Sequence, residues 1–172
     1  MALTLQEKKE IISEVAAVAA SAYSAVAAEY RGLTVGQLTT LRQNARKNGV
    51  YLRVVKNNLA SIAVKDTAFE CIQDGLTGPL ILAFSQEDPG SAARLIRDFL
   101  KDKANDKLQV RFVAIDGKML PAAELERLAK LPTRDQALAT LAAALRAPLD
   151  KFARTLAALR DQKAEAAGVS VD

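Results

Sequence analysis

The sequence of 172 residues contains no histidine, no tryptophan and a single cysteine, Cys71. The lack of histidine excludes Ser-His and Cys-His catalysis and zinc sites that use histidine. A single cysteine cannot form a disulfide within the chain, so the composition suits a reducing compartment. Because Cys71 stands beside Phe69 and Ile72, its sequence context favours a position in the core over a role as nucleophile.

Signatures of nucleotide binding and of membranes are missing as well. The eight glycines are scattered, and the stretch from Gly75 to Gly78 lacks the Lys-Ser/Thr ending of a phosphate-binding loop. No apolar run reaches the roughly 18 residues of a membrane span. The Ala-rich stretch 15–28 follows a net acidic segment, unlike a signal peptide. The sequence therefore predicts a soluble cytoplasmic protein with no catalytic residues, no cofactor and no metal site.

Positive charge is concentrated in one part of the chain. The formal net charge is +4, but the 35 residues from Arg31 to Lys65 hold seven basic residues and no acidic one. The remaining sequence sums to −3. Such a region can bind a polyanion through its Arg and Lys side chains, and an ordinary solvated surface is the alternative. The basic residues are Arg31, Arg42, Arg46, Lys47, Arg53, Lys56 and Lys65.

Residue types suited to RNA accompany this charge. Asn57 and Asn58 can hydrogen-bond base edges or 2′-hydroxyls, and arginine guanidinium groups can stack or pair with phosphates. Tyr30 and Tyr51 are the only aromatic residues nearby, and both are expected in or beside a sheet. With so few aromatic residues, recognition of a folded RNA by its shape and backbone is favoured over a platform for single strands.

Helical and strand patterns alternate through the first 130 residues, which predicts an α/β (α+β) domain at 1–131 with a sheet of four or five strands. Thr4 and Thr34 are predicted helix caps, and Asp88 is a predicted cap before Pro89. Asp116-Gly117 is a predicted turn. Helices are predicted at about 5–20, 35–47, 59–65, 89–100 and 121–130, and strands at 23–30, 50–55, 80–84, 107–115 and 118–120.

The pattern changes after Pro132, where Thr133 and Gln136 fit a capping box and strand signals end. Apolar residues recur with a mean spacing of 3.5 in a narrow seam, which predicts a long C-terminal α-helix at 132–165 and a flexible tail at 166–172. Pro148 predicts a kink at 144–147. The seam consists of Leu138, Leu141, Leu145, Leu149, Phe152, Leu156 and Leu159.

An apolar seam of this length would promote aggregation if it stayed exposed, so we expect another protein surface to bind it. Packing back onto the domain and pairing with a second copy as a coiled coil are two alternatives, and a dedicated partner protein is the interpretation we favour. Pro148 divides the seam into two similar blocks, because its first three residues are repeated at an offset of eleven by Leu149, Phe152 and Leu156. Two blocks predict two bound partners.

Several motifs, spread over nearly the whole chain, are specific enough to indicate a family. They are Glu29 to Val35, Leu41-Arg42 through Ala45-Arg46, Gly49 to Leu59, Glu87 to Gly90, Leu131 to Thr133, and Ala147-Pro148 inside the terminal helix. Together they resemble the family of bacterial large-subunit ribosomal protein ten, which forms the base of the ribosomal stalk.

The resemblance implies a non-enzymatic ribosomal protein with two binding regions. Its N-terminal domain would bind 23S ribosomal RNA in the GTPase-associated region, next to protein eleven. Its terminal helix would bind dimers of the acidic stalk protein, which recruit translational GTPases. The implied RNA contacts are Arg31, Gly32, Arg42, Arg46, Arg53, Lys56, Asn57 and Asn58, to which the end of the second helix adds Lys47.

Regulation is the competing interpretation. A self-assembling regulator would pair its terminal helix with a second copy, and its basic domain would repress a messenger RNA. The family resemblance implies feedback on the protein's own messenger RNA as a second role only. The mass of the purified protein, alone and with stalk dimers, separates the two hypotheses.

Overall fold

The computed structural model describes residues 4–65, 67–102, 105 and 107–166, and it divides into two units, 1–131 and 132–172. The first unit contains a five-stranded sheet in which every neighbouring pair is antiparallel, with the order β2-β3-β1-β4-β5. The α/β class and the sheet are therefore confirmed. The strands are β1 (Ser24–Glu29), β2 (Val50–Val54), β3 (Leu80–Ser85), β4 (Gln109–Ile115) and β5 (Lys118–Pro121).

Strand β1 lies at the centre of the sheet and is buried on both faces. Residues Ala25 to Ala28 are at most 1% exposed, and all except Val26 are alanine. Burial on both faces explains why this strand lacks the alternation of polar and apolar residues seen in a half-buried strand. The small side chains leave room for the packing layers above and below.

Helices cover both faces of the sheet. They are α1 (Leu5–Ser21), α2 (Val35–Lys47), α3 (Asn57–Val64), α4 (Ser91–Leu100) and α5 (Leu125–Ala129), with 3-10 helices at Glu70–Gly75 and Ala122–Glu124. On one face, α1, α3 and the first 3-10 helix pack around Phe69, Ile72 and Phe84. On the other, α2, α4 and α5 pack around Leu41 and Ile96.

Local capping and turn motifs are confirmed. The Thr4 hydroxyl accepts from the Glu7 amide at 3.3 Å, and the Glu7 carboxylate accepts from the Thr4 amide at 2.7 Å. Thr34 and Gln37 repeat this reciprocal arrangement at the start of α2. Asp116 and Gly117 have φ of 48° and 75° and join β4 to β5 as a two-residue hairpin turn.

The start of α4 corrects one prediction, because Asp88 is not its cap. The helix begins at Ser91, and two buried serines from the ends of neighbouring strands hold its first turn. The Ser85 hydroxyl accepts from the Ala92 amide at 3.0 Å. Ser24 Oγ lies 3.1 Å from Ser85 Oγ and donates to the Pro89 carbonyl at 2.6 Å. These contacts are tertiary, so the Asp-Pro motif could not indicate them.

Two other helices differ from the sequence prediction in extent. Helix α3 begins at Asn57 rather than at residue 59, because the Lys56 carbonyl already accepts from the Leu59 and Ala60 amides at 2.8 and 3.0 Å. The helix predicted at 121–130 is divided into a 3-10 turn and α5, since Pro121 is still paired with Phe112 as the last residue of β5.

The second unit is a single helix, α6 (Arg134–Ala166), of 33 residues. At a rise of about 1.5 Å per residue its length is roughly 50 Å. The predicted capping box is present, because the amide of Gln136 donates to the Thr133 hydroxyl at 3.3 Å and the Thr133 amide donates to the Gln136 side chain at 3.2 Å. The helix continues through Pro148, where the kink remains a prediction. Beyond Ala166, the predicted tail lies outside the described residues.

Gly75 ends its 3-10 helix where the sheet leaves no room for a side chain. An added Cβ would lie 2.8 Å from Cε1 of Phe112, a buried residue of β4. We predict that Gly75→Ala lowers the free energy of unfolding by about 1–3 kcal/mol through overpacking. Urea denaturation followed by circular dichroism measures this change.

Gly36→Ala is the matched control, because nothing lies within 4 Å of a Cβ added there in α2. It should be neutral or stabilise the domain by up to about 1 kcal/mol. Equal free energies of unfolding for the two variants would contradict the packing argument.

Candidate nucleic-acid interface and partner-binding helix

Strand β2, which carries Arg53, forms one edge of the sheet. Side chains of this strand alternate between the two packing layers. Val50 and Leu52 pack in the layer of α2, whereas Tyr51 packs in the layer of α1 and Arg53 contacts Glu14 of α1. Arg53 and the basic side chains of α2 therefore belong to opposite faces of the sheet.

Strand pairing separates the nine predicted RNA contacts into two groups. Glu29 pairs with Leu80 and Val54 pairs with Ile81, so β1 and β2 finish at the same end of the sheet. Helix α2 runs from that end towards the other, where Val50 pairs with Ser85. The first end carries Arg31, Gly32, Arg53, Lys56, Asn57 and Asn58, and α2 carries Arg42, Arg46 and Lys47.

The group on α2 is exposed and lacks a carboxylate partner among the described residues. Arg42 and Arg46 are one helical turn apart, so they share a flank, as predicted. Arg46 and Lys47 also occupy the last turn of the helix, where positive charge complements the helix dipole. All three charges remain available to an anion in solution.

A cleft of about 780 Å³ lies between α2 and α4. Gln37, Thr40 and Asn44 line it from α2, whereas Asp98 lines it from α4 and Asp102 from the segment just after α4. A hydrogen bond from Lys101, more than that from Arg97, holds the pKa of Asp98 below its ordinary value. Because ionised carboxylates repel phosphate, the cleft is a poor continuation of a surface that binds nucleic acid.

The turn after β1 requires a glycine. Gly32 has a φ of +88°, and an added Cβ would lie 3.1 Å from Cδ of Lys107. Lys107 precedes β4 and is exposed beside this turn, so it adds a positive charge to the first group. No local pattern in the sequence indicates this neighbour, because only the pairing of β1 with β4 brings the two segments together.

The N-terminus of α3 has no side-chain cap. Lys56 and Asn58 are exposed there, next to first-turn amides that carry partial positive charge. Asn57 has a structural contact instead, because its side-chain amide donates to the Gly78 carbonyl at 3.0 Å. Asn57 thus ties α3 to the turn before β3, while Lys56 and Asn58 remain open to a ligand.

Arg53 differs from the other basic residues because it has a carboxylate partner. Its Nη1 donates to Oε2 of Glu14 and to the Tyr51 hydroxyl, 3.1 Å away. The Tyr51 hydroxyl donates to the other Glu14 oxygen at 2.8 Å. Hydrogen bonds from Tyr51, and then from Arg53, lower the pKa of Glu14. Helix α1 therefore supplies an acidic residue that the order of charges along the sequence did not reveal.

Other kinds of chemistry, such as that of a reactive thiol or a metal site, receive little support. Cys71 is partly buried against the core, and burial raises the pKa of its thiol, which reduces its reactivity. Within the described ranges, His, Cys, Asp and Glu form no cluster of three or more that could hold a metal ion. No helix in the part of the chain that the structure describes is long and apolar enough to cross a membrane.

The seam of α6 is exposed along its whole length. Its seven side chains, Leu138, Leu141, Leu145, Leu149, Phe152, Leu156 and Leu159, are between 51% and 76% exposed. On the polar side, Arg146 donates to Asp150 at 3.0 Å across one turn. An apolar stripe at coiled-coil spacing is the usual surface by which a helix binds another helix.

A basic α/β domain together with an exposed apolar helix is typical of a scaffold protein. A family model described as "Ribosomal protein L10" matches residues 3–101, and one described as "Ribosomal protein uL10 C-terminal region" matches residues 131–167. The chain belongs to the ribosomal protein L10 family, so the identification from sequence motifs is confirmed.

Individual relatives are similar in sequence to this chain over nearly its full length. The chain is similar to the large ribosomal subunit protein uL10 of Thioalkalivibrio sulfidiphilus, with 60% identity over 95% of this chain and 98% of the relative. The protein of the same name from Methylococcus capsulatus is 59% identical over the same shares. That of Alcanivorax borkumensis is 53% identical over 97% of this chain and all of the relative. The chain is therefore a non-enzymatic, cytoplasmic component of the large ribosomal subunit.

Pro148 makes a testable weak point in α6. It lacks the amide that would donate to the Ala144 carbonyl. A proline in a helix interior lowers the stability of the helix by about 3 kcal/mol. We predict that Pro148→Ala slows amide hydrogen exchange in 144–152 by about tenfold or more, measured by mass spectrometry on the full chain. Pro132→Ala, before the helix, is the control and should leave this segment unchanged. Equal exchange in the Pro148→Ala variant and the parent would contradict the prediction.

Proposed function

We propose that the domain at 1–131 binds 23S ribosomal RNA in the GTPase-associated region, next to protein eleven, and that α6 anchors dimers of the acidic stalk protein. The dimers then recruit translational GTPases. One observation carries the proposal: an exposed basic edge and an exposed apolar stripe lie in separate units of the same chain. Each unit therefore offers a surface for a different class of partner.

The charges around β2 support the RNA part of the proposal. Arg42, Arg46 and Lys47 are exposed, and no described carboxylate pairs with them. At the other end, Lys56 and Asn58 flank uncapped amides, a combination that suits a phosphate and an adjacent 2′-hydroxyl. Tyr51 of this strand offers no stacking platform, because it packs against Phe84 with ring centroids 6.5 Å apart. The surface is therefore best suited to the backbone of a folded RNA.

Charge also supports an acidic partner for α6. Between Arg134 and Lys163 the helix holds six basic and three acidic residues, so it would attract an acidic protein beside the apolar seam. Pro148 separates Leu138, Leu141 and Leu145 from the following block, and each block spans about two helical turns. We assign one stalk dimer to each block, which makes two in total.

The RNA surface is tested by reversing one charge. Arg46→Glu should weaken binding of the full chain to a transcript of the GTPase-associated region by at least about tenfold and reduce the salt dependence of its affinity. Arg127→Glu makes the same charge change at an exposed side chain of α5 and should have little effect. Filter binding at several salt concentrations measures both.

The two outcomes of this test are distinct. If Arg46→Glu and Arg127→Glu bind the transcript equally well, the RNA surface must lie elsewhere than on α2. In either variant the seam of α6 is unchanged, so binding of stalk dimers checks only that this helix is intact, and urea denaturation verifies that the domain at 1–131 is folded.

The proposal that α6 binds the stalk dimers is tested by truncation. Removal of 132–172 should abolish binding of stalk dimers and leave RNA affinity unchanged, whereas removal of 148–172 should leave one dimer. Native mass spectrometry of the complexes counts the dimers directly. A full complement of dimers on a chain that ends at Leu131 would refute the assignment of α6.

A homodimeric regulator would give a different result in native mass spectrometry. It would appear as a stable dimer of this chain before any stalk protein is added, because the seam of one copy would cover that of the other. Our proposal expects the free chain as a monomer that takes up stalk dimers. Translational feedback on its own messenger RNA would use the same basic surface and would also be weakened by Arg46→Glu.

A further inference from the structure

The guanidinium of Arg53 is held by one nitrogen only. Nη1 donates to Glu14 and to Tyr51, which satisfies both of its hydrogens. Among the described residues, no acceptor is bonded to Nε or Nη2. These two nitrogens form one side of the planar group, and their parallel N–H bonds match the spacing of two phosphate oxygens.

The support behind Arg53 is rigid because it begins in the core. Tyr51 precedes Arg53 by two residues on the same face of β2, and its ring packs against Phe84 in the buried cluster. Its hydroxyl accepts from Arg53 and donates to Glu14, so both Glu14 oxygens and Nη1 are joined in one hydrogen-bonded ring. A long and otherwise mobile side chain is thereby fixed to a strand of the sheet.

The ion pair itself adds little to the stability of the fold. The Arg53 and Glu14 side chains are 35% and 49% exposed, and ion pairs in such positions contribute about 0–1 kcal/mol. Glu14 also offsets the charge of Arg53, which weakens its attraction for a distant polyanion. The arrangement therefore favours a short, directional contact over long-range attraction.

We propose that Glu14 and Tyr51 are positioning residues that hold Arg53 so that its Nε and Nη2 bind one phosphate of the RNA side-on. This inference rests on the proposed RNA-binding function and adds two residues that lie outside the predicted contact set. Tyr51 and Glu14 do not touch the RNA themselves. They act by reducing the side-chain freedom that Arg53 would otherwise lose on binding.

Tyr51→Phe is the decisive variant because it removes only the hydroxyl and leaves the ring and the net charge unchanged. It should weaken affinity for the transcript about two- to tenfold, which corresponds to the cost of ordering one long side chain. The slope of affinity against salt should stay the same, since no charge is lost. Tyr23→Phe, on the exposed Tyr23, makes the same change elsewhere and should have no effect.

Glu14→Gln is compared with Glu10→Gln, because both remove one negative charge and Glu10 is exposed one helical turn earlier in α1. Relative to Glu10→Gln, the Glu14→Gln variant should bind the transcript more weakly. Tighter binding would mean that Glu14 competes with phosphate for Arg53, and the inference would be overturned.

A double-mutant cycle separates positioning from a general structural role. Arg53→Gln should weaken binding on its own, and adding Tyr51→Phe or Glu14→Gln to it should cause no further loss. Additive losses would show that the two residues act independently of Arg53 and would refute the proposal. Urea denaturation of each variant verifies that the domain is folded.

Failure of this inference can be told apart from failure of the proposed function. If Arg46→Glu weakens binding but Tyr51→Phe does not, RNA binding stands and the positioning role is wrong. If neither Arg46→Glu nor Arg53→Gln affects the transcript, the RNA surface itself is wrongly assigned.

Discussion

The small side chains of β1 are the constraint on which the domain depends. This strand pairs with β3 on one side and β4 on the other, and both of its faces are fully buried. Larger residues from β1 would push the helical layers away from the sheet, and filled interiors tolerate such overpacking poorly. With β1 at the centre, β2 is left at an edge, and its open side becomes the place where polar and charged side chains can reach solvent.

An edge strand needs protection, and the basic residues supply it. Unpaired backbone groups along β2 would be a template for another strand, and charged side chains at an edge oppose such pairing. Arg53 lies on this strand and Lys56 follows it closely, while Glu14 fixes Arg53 from α1. The same charges that suit a polyanion thus also discourage association between copies of the sheet, so solubility and the proposed binding place similar demands on this edge.

Features that depend on neighbouring residues were predictable from the sequence, and features that depend on strand order were not. The capping boxes at Thr4 and Thr34, the Asp116-Gly117 turn and the seam of α6 are local patterns. The Asp88-Pro89 motif predicts a cap at Asp88, and this prediction is wrong because the hydroxyl that holds the first turn of α4 is that of Ser85, at the end of a strand. Glu14 and Arg53 are 39 residues apart in the sequence. They come into contact only because α1 packs on the face of the sheet to which the side chain of Arg53 belongs. Likewise, charge order predicted a basic region, but only the pairing of β1, β2 and β3 shows that it is divided between two faces and two ends of the sheet.

Helix α6 follows a different physical logic from the domain, because tertiary packing supplies most helix stability in proteins and its seam is exposed. An isolated helix depends on propensity, caps and pairs such as Arg146 with Asp150, each worth only tenths of a kcal/mol. Pro148 adds a local penalty and removes one hydrogen bond between the two blocks. Helical order in one block therefore gives limited support to the other. Under the proposed function, a partner bound to 137–146 would stabilise mainly that block, so the two dimers would bind with weak cooperativity and the stalk could be assembled one dimer at a time.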